Sequence, residues 1–154
     1  MMKMKRLFCT LLVSGVMICN LGLTAMAAHY SDDVIDLNSM EQGAVVCSQM
    51  NAETDMAPRA TNQFEITVAA RSTVAANSSF SLESGETVTI NASYSPGTAS
   101  VDFGLIAPDG LFHYINTTSG SINRTIRVDE RGSYTFAVRN NSSRTVSVVG
   151  FINY

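Results

Sequence analysis

No disulfide framework can hold this chain together. Its three cysteines are Cys9, Cys19 and Cys47, and the first two fall in a leader that is expected to be removed. The mature chain then keeps a single thiol, with no histidine or second cysteine near it in sequence, and Cys47 reads as an idle residue. Small secreted eukaryotic domains are usually stapled, so an unstapled one points to a bacterial, Gram-positive exporter. Tryptophan is absent, and lysine is confined to Lys3 and Lys5. A sequence pI near 5.2 leaves no basic footprint for nucleic acid. Histidine is as scarce: His29 stands near the expected new amino terminus and His113 in the run LFHYIN. With no Gly-x-Ser-x-Gly elbow, phosphate-binding loop or metal-spaced His/Cys cluster, no catalytic residue, metal or cofactor is expected. Asp102 lies within a strand pattern and Asp109 in a Pro-Asp-Gly turn, where aspartate is an ordinary turn residue, so the two do not read as a catalytic pair.

The amino terminus sets the expected compartment. Lys3, Lys5 and Arg6 precede an apolar run from Leu7 to Thr24, and Ala25-Met26-Ala27 has the small-x-small form that a signal peptidase reads. Residues 1–27 are therefore taken as a signal peptide with Ala25 and Ala27 as its recognition residues. Ser14, Gly15, Asn20 and Gly22 interrupt the run, which is barely the ~20 residues a membrane span needs. The reading is a secreted or cell-surface-associated protein with no stable membrane insertion after cleavage.

Residues 28–62 carry Asp32, Asp33, Asp36, Glu41, Glu53 and Asp55 against the single cation Arg59. They show no sustained apolar period, and their apolar patches, Val34 to Leu37 and Ala44 to Cys47, are short. The expectation is a disordered acidic segment. Arg124, Arg127, Arg131, Arg139 and Arg144 gather near the other end of the chain. One reading lays the acidic segment against that basic side as a pro-segment, released by a cut at Arg59.

From 63 onward the period is two. Phe64, Ile66 and Val68 alternate with polar residues, as do Phe80 and Leu82, and then Val88, Ile90 and Ala92. Turn signals such as Ser84-Gly85-Glu86, Ser95-Pro96-Gly97, Pro108-Asp109-Gly110 and Asn140 to Ser143 separate the runs. About eight strands, one every 8 to 12 residues, is the spacing of an all-β antiparallel sandwich. The core is expected from Val88, Ile90, Val101, Phe103, Leu105, Ile126, Val128, Tyr134, Phe136, Val138 and Val146 or Val148. Most runs fall short of the ~9 to 11 residues a membrane-barrel strand needs. Six Asn-x-Ser/Thr sequons, at Asn77, Asn91, Asn116, Asn123, Asn140 and Asn141, read as strand and turn composition rather than as glycan sites.

Three stretches carry a family resemblance. Phe80-Ser81-Leu82-x-x-Gly85-x-Thr87-Val88-Thr89-Ile90, Val101-Asp102-Phe103-Gly104-Leu105 with Pro108-Asp109-Gly110, and Gly132-Ser133-Tyr134-x-Phe136-x-Val138 together resemble the pre-peptidase C-terminal domain of secreted bacterial enzymes. The likeness covers residues 79–154. It implies a jelly-roll β-sandwich in a non-catalytic role, and it does not supply a metal site, because the acidic calcium linker of the similar collagen-binding domains cannot be aligned to Asp32, Asp33 or Asp36.

Two functional classes are left. LFHYIN puts Leu111 and Ile115 on one side and Phe112 and Tyr114 on the other, whereas a sandwich strand needs only one apolar side. Phe112 and Tyr114 are thus candidate contacts of a binding or adhesion module for an extracellular glycan or protein. The alternative is a self-associating surface protein whose exposed edge, residues 63–70, pairs between copies as a homo-oligomer. Intact mass of the exported protein is expected to place its first residue at Ala28; a species that keeps Leu7 to Thr24 would make the leader an anchor.

Overall fold

The computed structural model describes residues 34–49 and 61–154. Among them the alternating runs form the strands β4 (Thr61–Val68), β5 (Thr73–Ala75), β6 (Phe80–Leu82), β7 (Thr87–Ser95), β8 (Val101–Ile106), β9 (Phe112–Thr117), β10 (Ser121–Arg127), β11 (Gly132–Asn140) and β12 (Val146–Asn153). In β4 and β7 exposed and buried residues alternate almost without a break, as a pleated strand with one face on a core requires. The turns follow the expected chemistry. Gly110 has φ of 79° and returns its N–H to the Ala107 carbonyl at 2.9 Å, a left-handed geometry that suits glycine.

Two sheets pack face to face as an all-β sandwich. The five-stranded sheet has β7 between β10 and β12, with β4 as one edge. In the seven-stranded sheet β8 lies between β9 and β11, β5 follows β11, and β6 also pairs with β11. Between the sheets lies one continuous core that includes Phe64, Ile66, Val88, Ile90, Phe103, Leu105, Tyr134, Phe136 and Ile152. Every core residue expected from the alternation is buried, and Val146 and Val148 both belong to it.

Within the segment 28–62 the described residues 34–49 depart from expectation. Residues 34–49 do not form a disordered stretch; they add β1 (Val34–Asp36), a 3-10 turn (Leu37–Ser39), β2 (Glu41–Gly43) and β3 (Cys47–Gln49). β1 pairs in parallel with β10, β2 antiparallel with β9, and β3 in parallel with β5. Leu37 and Met40 are buried in the main core. The described residues therefore bring twelve strands where about eight were expected. The physical reason is length: three-residue strands are too short to show a period, and what orders them is pairing with longer strands already present. The last body of sequence also begins earlier than 63, since β4 starts at Thr61.

This segment sets the curvature of the seven-stranded sheet. Only residues 44–46 join β2, at one edge of that sheet, to β3 at the other. Four Cα steps reach about 14 Å, whereas six flat strands are about 24 Å wide. The sheet must curl, and Val45 packs inside the curl against Phe112, Ala137 and Ala75. Small residues make that possible. Gly104, Ala137 and Ala75 lie abreast on this face, and a Cβ on Gly104 would collide with the His113 backbone.

Leu37→Ala is expected to cost about 2 to 5 kcal/mol and Phe136→Ala about 3 to 5 kcal/mol, as for other buried large-to-small changes. Denaturant midpoints measure both. A wild-type midpoint for Leu37→Ala would detach the segment 34–49 from the fold.

Candidate binding surfaces

Three places in the sandwich concentrate polar chemistry or exposed apolar surface. The first is the strand singled out from sequence. Phe112 and Tyr114 do point to the same side of β9, but that side is the inside of the curl, and Phe112 is 1% exposed. The expectation of an outward Phe112 is corrected: β9 carries apolar residues on both faces because each face borders a core. Val45, in the short connection from β2 to β3, packs over this side. Tyr114 is half-buried, with its ring 5.3 Å from that of Phe112. The Arg139 guanidinium lies 4.1 Å from the Tyr114 centroid.

Arg139 is held there by Asp102, whose carboxylate is buried on the same face of β8. Asp102 accepts from Arg139 Nε at 2.7 Å, Asn141 Nδ2 at 2.7 Å and Asn116 Nδ2 at 2.5 Å. Burial works against the charge of Arg139, yet its bonds to Asp102 and Tyr114 hold its pKa above the usual guanidinium range. Among the described residues no buried side-chain nitrogen or oxygen lacks a partner. The cluster is thus a clamp around the buried Asp102 carboxylate, whose oxygens accept from three side chains.

The second place is a cleft of about 310 Å³ lined by Leu37, Asn38, Ala107, Asp109, His113, Asp129 and Glu130. His113 is 1% exposed and faces an acceptor at each ring nitrogen. Its Nε2 lies 2.9 Å from Asp109 Oδ2, and its Nδ1 lies 3.3 Å from the Leu37 carbonyl. The Asn38 N–H donates to Asp129 at 3.2 Å, and Asp36 pairs with Arg127 at 2.7 Å. These contacts latch the segment carrying Leu37 to the body. Among the described residues that line the cleft there is no serine, threonine or cysteine. Among the described residues no group of three or more His, Cys, Asp or Glu is arranged to hold a metal.

The third place was missed. Phe151 and Val149 occupy alternate outward positions on β12 and are 47% and 44% exposed. β12 is an interior strand of the five-stranded sheet, between β7 and β4. Across the strands Phe151 is flanked by Gln63 and Asn91, and Asn91 in turn faces Asn123. Val149 is flanked by Glu65 and Ser93, with Ser121 beyond. The rest of the face is mainly serine, threonine and asparagine. Two sequons, at Asn91 and Asn123, are explained here: an asparagine and the Ser or Thr two residues on share the outward face of one strand.

Ala25, Ala27 and Arg59 lie outside the described residues. No helix among the described residues is long and apolar enough to cross a membrane.

Comparison with protein-family models and with curated proteins finds no match for this chain. Among solved structures the chain is similar to that of Aeromonas hydrophila PliG, a periplasmic lysozyme inhibitor of g-type lysozyme. The two are 12% identical over 71% of this chain and 96% of that one, with a TM-score of 0.48. A likeness of that degree carries no argument about function.

Asp109 generates a prediction with a definite sign. Burial pushes its pKa up, but the Leu111 N–H at 2.8 Å and the His113 side chain outweigh that and leave it below the ordinary aspartate value. A carboxyl with a lowered folded-state pKa contributes stability above its unfolded pKa, and that contribution is lost as pH falls through the folded value. Wild-type protein should therefore lose stability on acidification more steeply than Asp109→Asn. Denaturant midpoints taken from neutral pH down to about pH 3 test this; parallel curves would remove Asp109 from the latch.

Proposed function

We propose that this chain is a small extracellular, non-catalytic binding module, and that it meets its partner through the outer face of the five-stranded sheet. The observation that carries the reading is the pair Phe151 and Val149, exposed together on a strand that is hydrogen-bonded on both sides. Isolated apolar side chains on a surface need no explanation. An exposed aromatic beside an exposed aliphatic, on a sheet face whose strand alternation elsewhere sends apolar residues inward, does. Tyr114 and Phe112 have given up that role to the second core. The leader read from Lys3 to Ala27 supports export, and the occupied nitrogens of His113 support a non-catalytic site. The resemblance of residues 79–154 to pre-peptidase C-terminal domains supports an accessory role.

Self-association is the second reading, and β4 favours it. Among the described residues β4 is the edge of the five-stranded sheet, eight residues long, with no strand beyond it. Such an edge is a template for pairing between copies. Release of an acidic pro-segment fits less well, since Leu37 and Met40 belong to the main core and a cut at Arg59 would leave β1 to β3 paired in place.

The test uses the chain from Ala28 and its Phe151→Ser variant. An exposed side chain should change stability by no more than ~0.5 kcal/mol, while retention on extracellular surface material of the producing cell or its host should fall about tenfold or more. Equal retention of the two proteins would overturn the assignment of this face. A mass that rises with concentration in both would favour the β4 edge.

A further inference from the structure

Resting on the assignment of that face, we infer that its ligand is an uncharged polysaccharide, gripped by Phe151 and the amides abreast of it. The row Gln63, Phe151, Asn91, Asn123 runs across four adjacent strands. Neighbouring strands are about 4.8 Å apart, so the row sets one ring and three exposed amides at regular steps along a line. Each amide offers both donors and an acceptor. A pyranose presents the complementary surface, with an apolar C–H face to stack on the phenyl ring and hydroxyls around its rim that both donate and accept. Val149 extends the apolar strip by one outward position along the strand.

Charge narrows the choice. On this face the charged residues are Glu65, Asp36 and Arg127, and the last two pair with each other at 2.7 Å. An anionic polymer would be favoured by a set of cations here, since lysine and arginine supply the electrostatic part of such binding. Arg139 is locked to Asp102 and Arg131 pairs with Glu83 at 3.2 Å, while Arg124, exposed on β10 at a position that alternates with Asn123, donates to the Asn123 carbonyl at 2.9 Å. A protein partner or a second copy fits less well. The centre of such an interface is typically apolar and poor in serine, whereas Ser93, Ser95, Ser121 and Ser147 are exposed on this face around the two apolar residues. The neutral, amide-rich and hydroxyl-rich surface matches a neutral ligand of the same polarity.

Native gels containing hydroxyethyl cellulose, soluble starch or galactomannan, beside gels containing polygalacturonate or heparin, decide the matter with the full chain from Ala28. At least one neutral gel should retard the wild type, equally at low and high salt, because no ion pair contributes. Phe151→Ser and Asn91→Ala should each weaken that retardation about tenfold, the equivalent of roughly 1.4 kcal/mol, with unfolding midpoints unchanged. Two variants are needed because each removes a different part of the row. Absence of retardation in every neutral gel would overturn the ligand class, as would retardation by the anionic polymers alone or retardation of both variants equal to that of the wild type. If retention on surface material still depends on Phe151 while the neutral gels show nothing, the face stands and the polysaccharide falls. A dimer that Phe151→Ser dissociates would give the face to a second copy and overturn the inference.

Discussion

Backbone hydrogen bonding at the sheet edges is the constraint on which the rest of this sandwich depends. A strand at an edge exposes a row of unpaired N–H and C=O groups, and proteins without a closed barrel must cover or blunt them. Here a stretch of sixteen residues does most of that work. β1 covers β10, β2 covers β9 and β3 covers β5, so three of the four lateral edges are contributed by residues 34–49. None of these strands exceeds three residues, and none would persist alone. They hold because Leu37 and Met40 reach the core between them, and because His113, Asp129 and Arg127 take up the polar groups of the same stretch.

The same stretch imposes the curl of the seven-stranded sheet, and the curl creates a second small core. Phe112 fills it, and Gly104, Ala75 and Ala137 keep its floor low enough for the ring and for Val45. A buried carboxylate beside such a core would be costly alone, since removing one partner of a buried pair costs about 3 to 5 kcal/mol. Asp102 is tolerated because three side chains, Arg139, Asn116 and Asn141, donate to it from β11, β9 and the turn after β11. The clamp ties those elements together on the same face of the sheet as the second core.

How much of this could be read in the sequence depends on strand length and on neighbours. The runs around Phe64, Val88 and Phe136 were legible because eight or nine residues suffice to show a period of two. Residues 34–49 were illegible because three-residue strands carry no period, and their acidic composition, correctly noted, describes the solvent side of the segment only. In LFHYIN the doubled apolar faces were a true signal with the wrong partner assigned: a surplus apolar face says that something covers it, and only the topology says what. Phe151 was legible in principle. With Val146, Val148 and Ile152 inward, parity alone sends Val149 and Phe151 outward, but the apolar run VVGFI masks that alternation because both of its faces carry large side chains.

Where the charges went explains where contact is available. Asp36, Asp102 and Asp109 are committed to the latch, the clamp and the turn, each with a basic, imidazole or amide partner. What is left on the five-stranded sheet is a face mainly of hydroxyls and amides, centred on the interior strands β7 and β12. Such a face is stiff, because the ladders on both sides of β7 and β12 fix the Cα positions of Asn91 and Phe151. A stiff surface gives up little further conformational freedom when it meets a ligand, and that saving favours affinity over an equal area of loop. An aromatic on an interior strand is therefore better placed to hold a repeating polymer than the same ring on a loop.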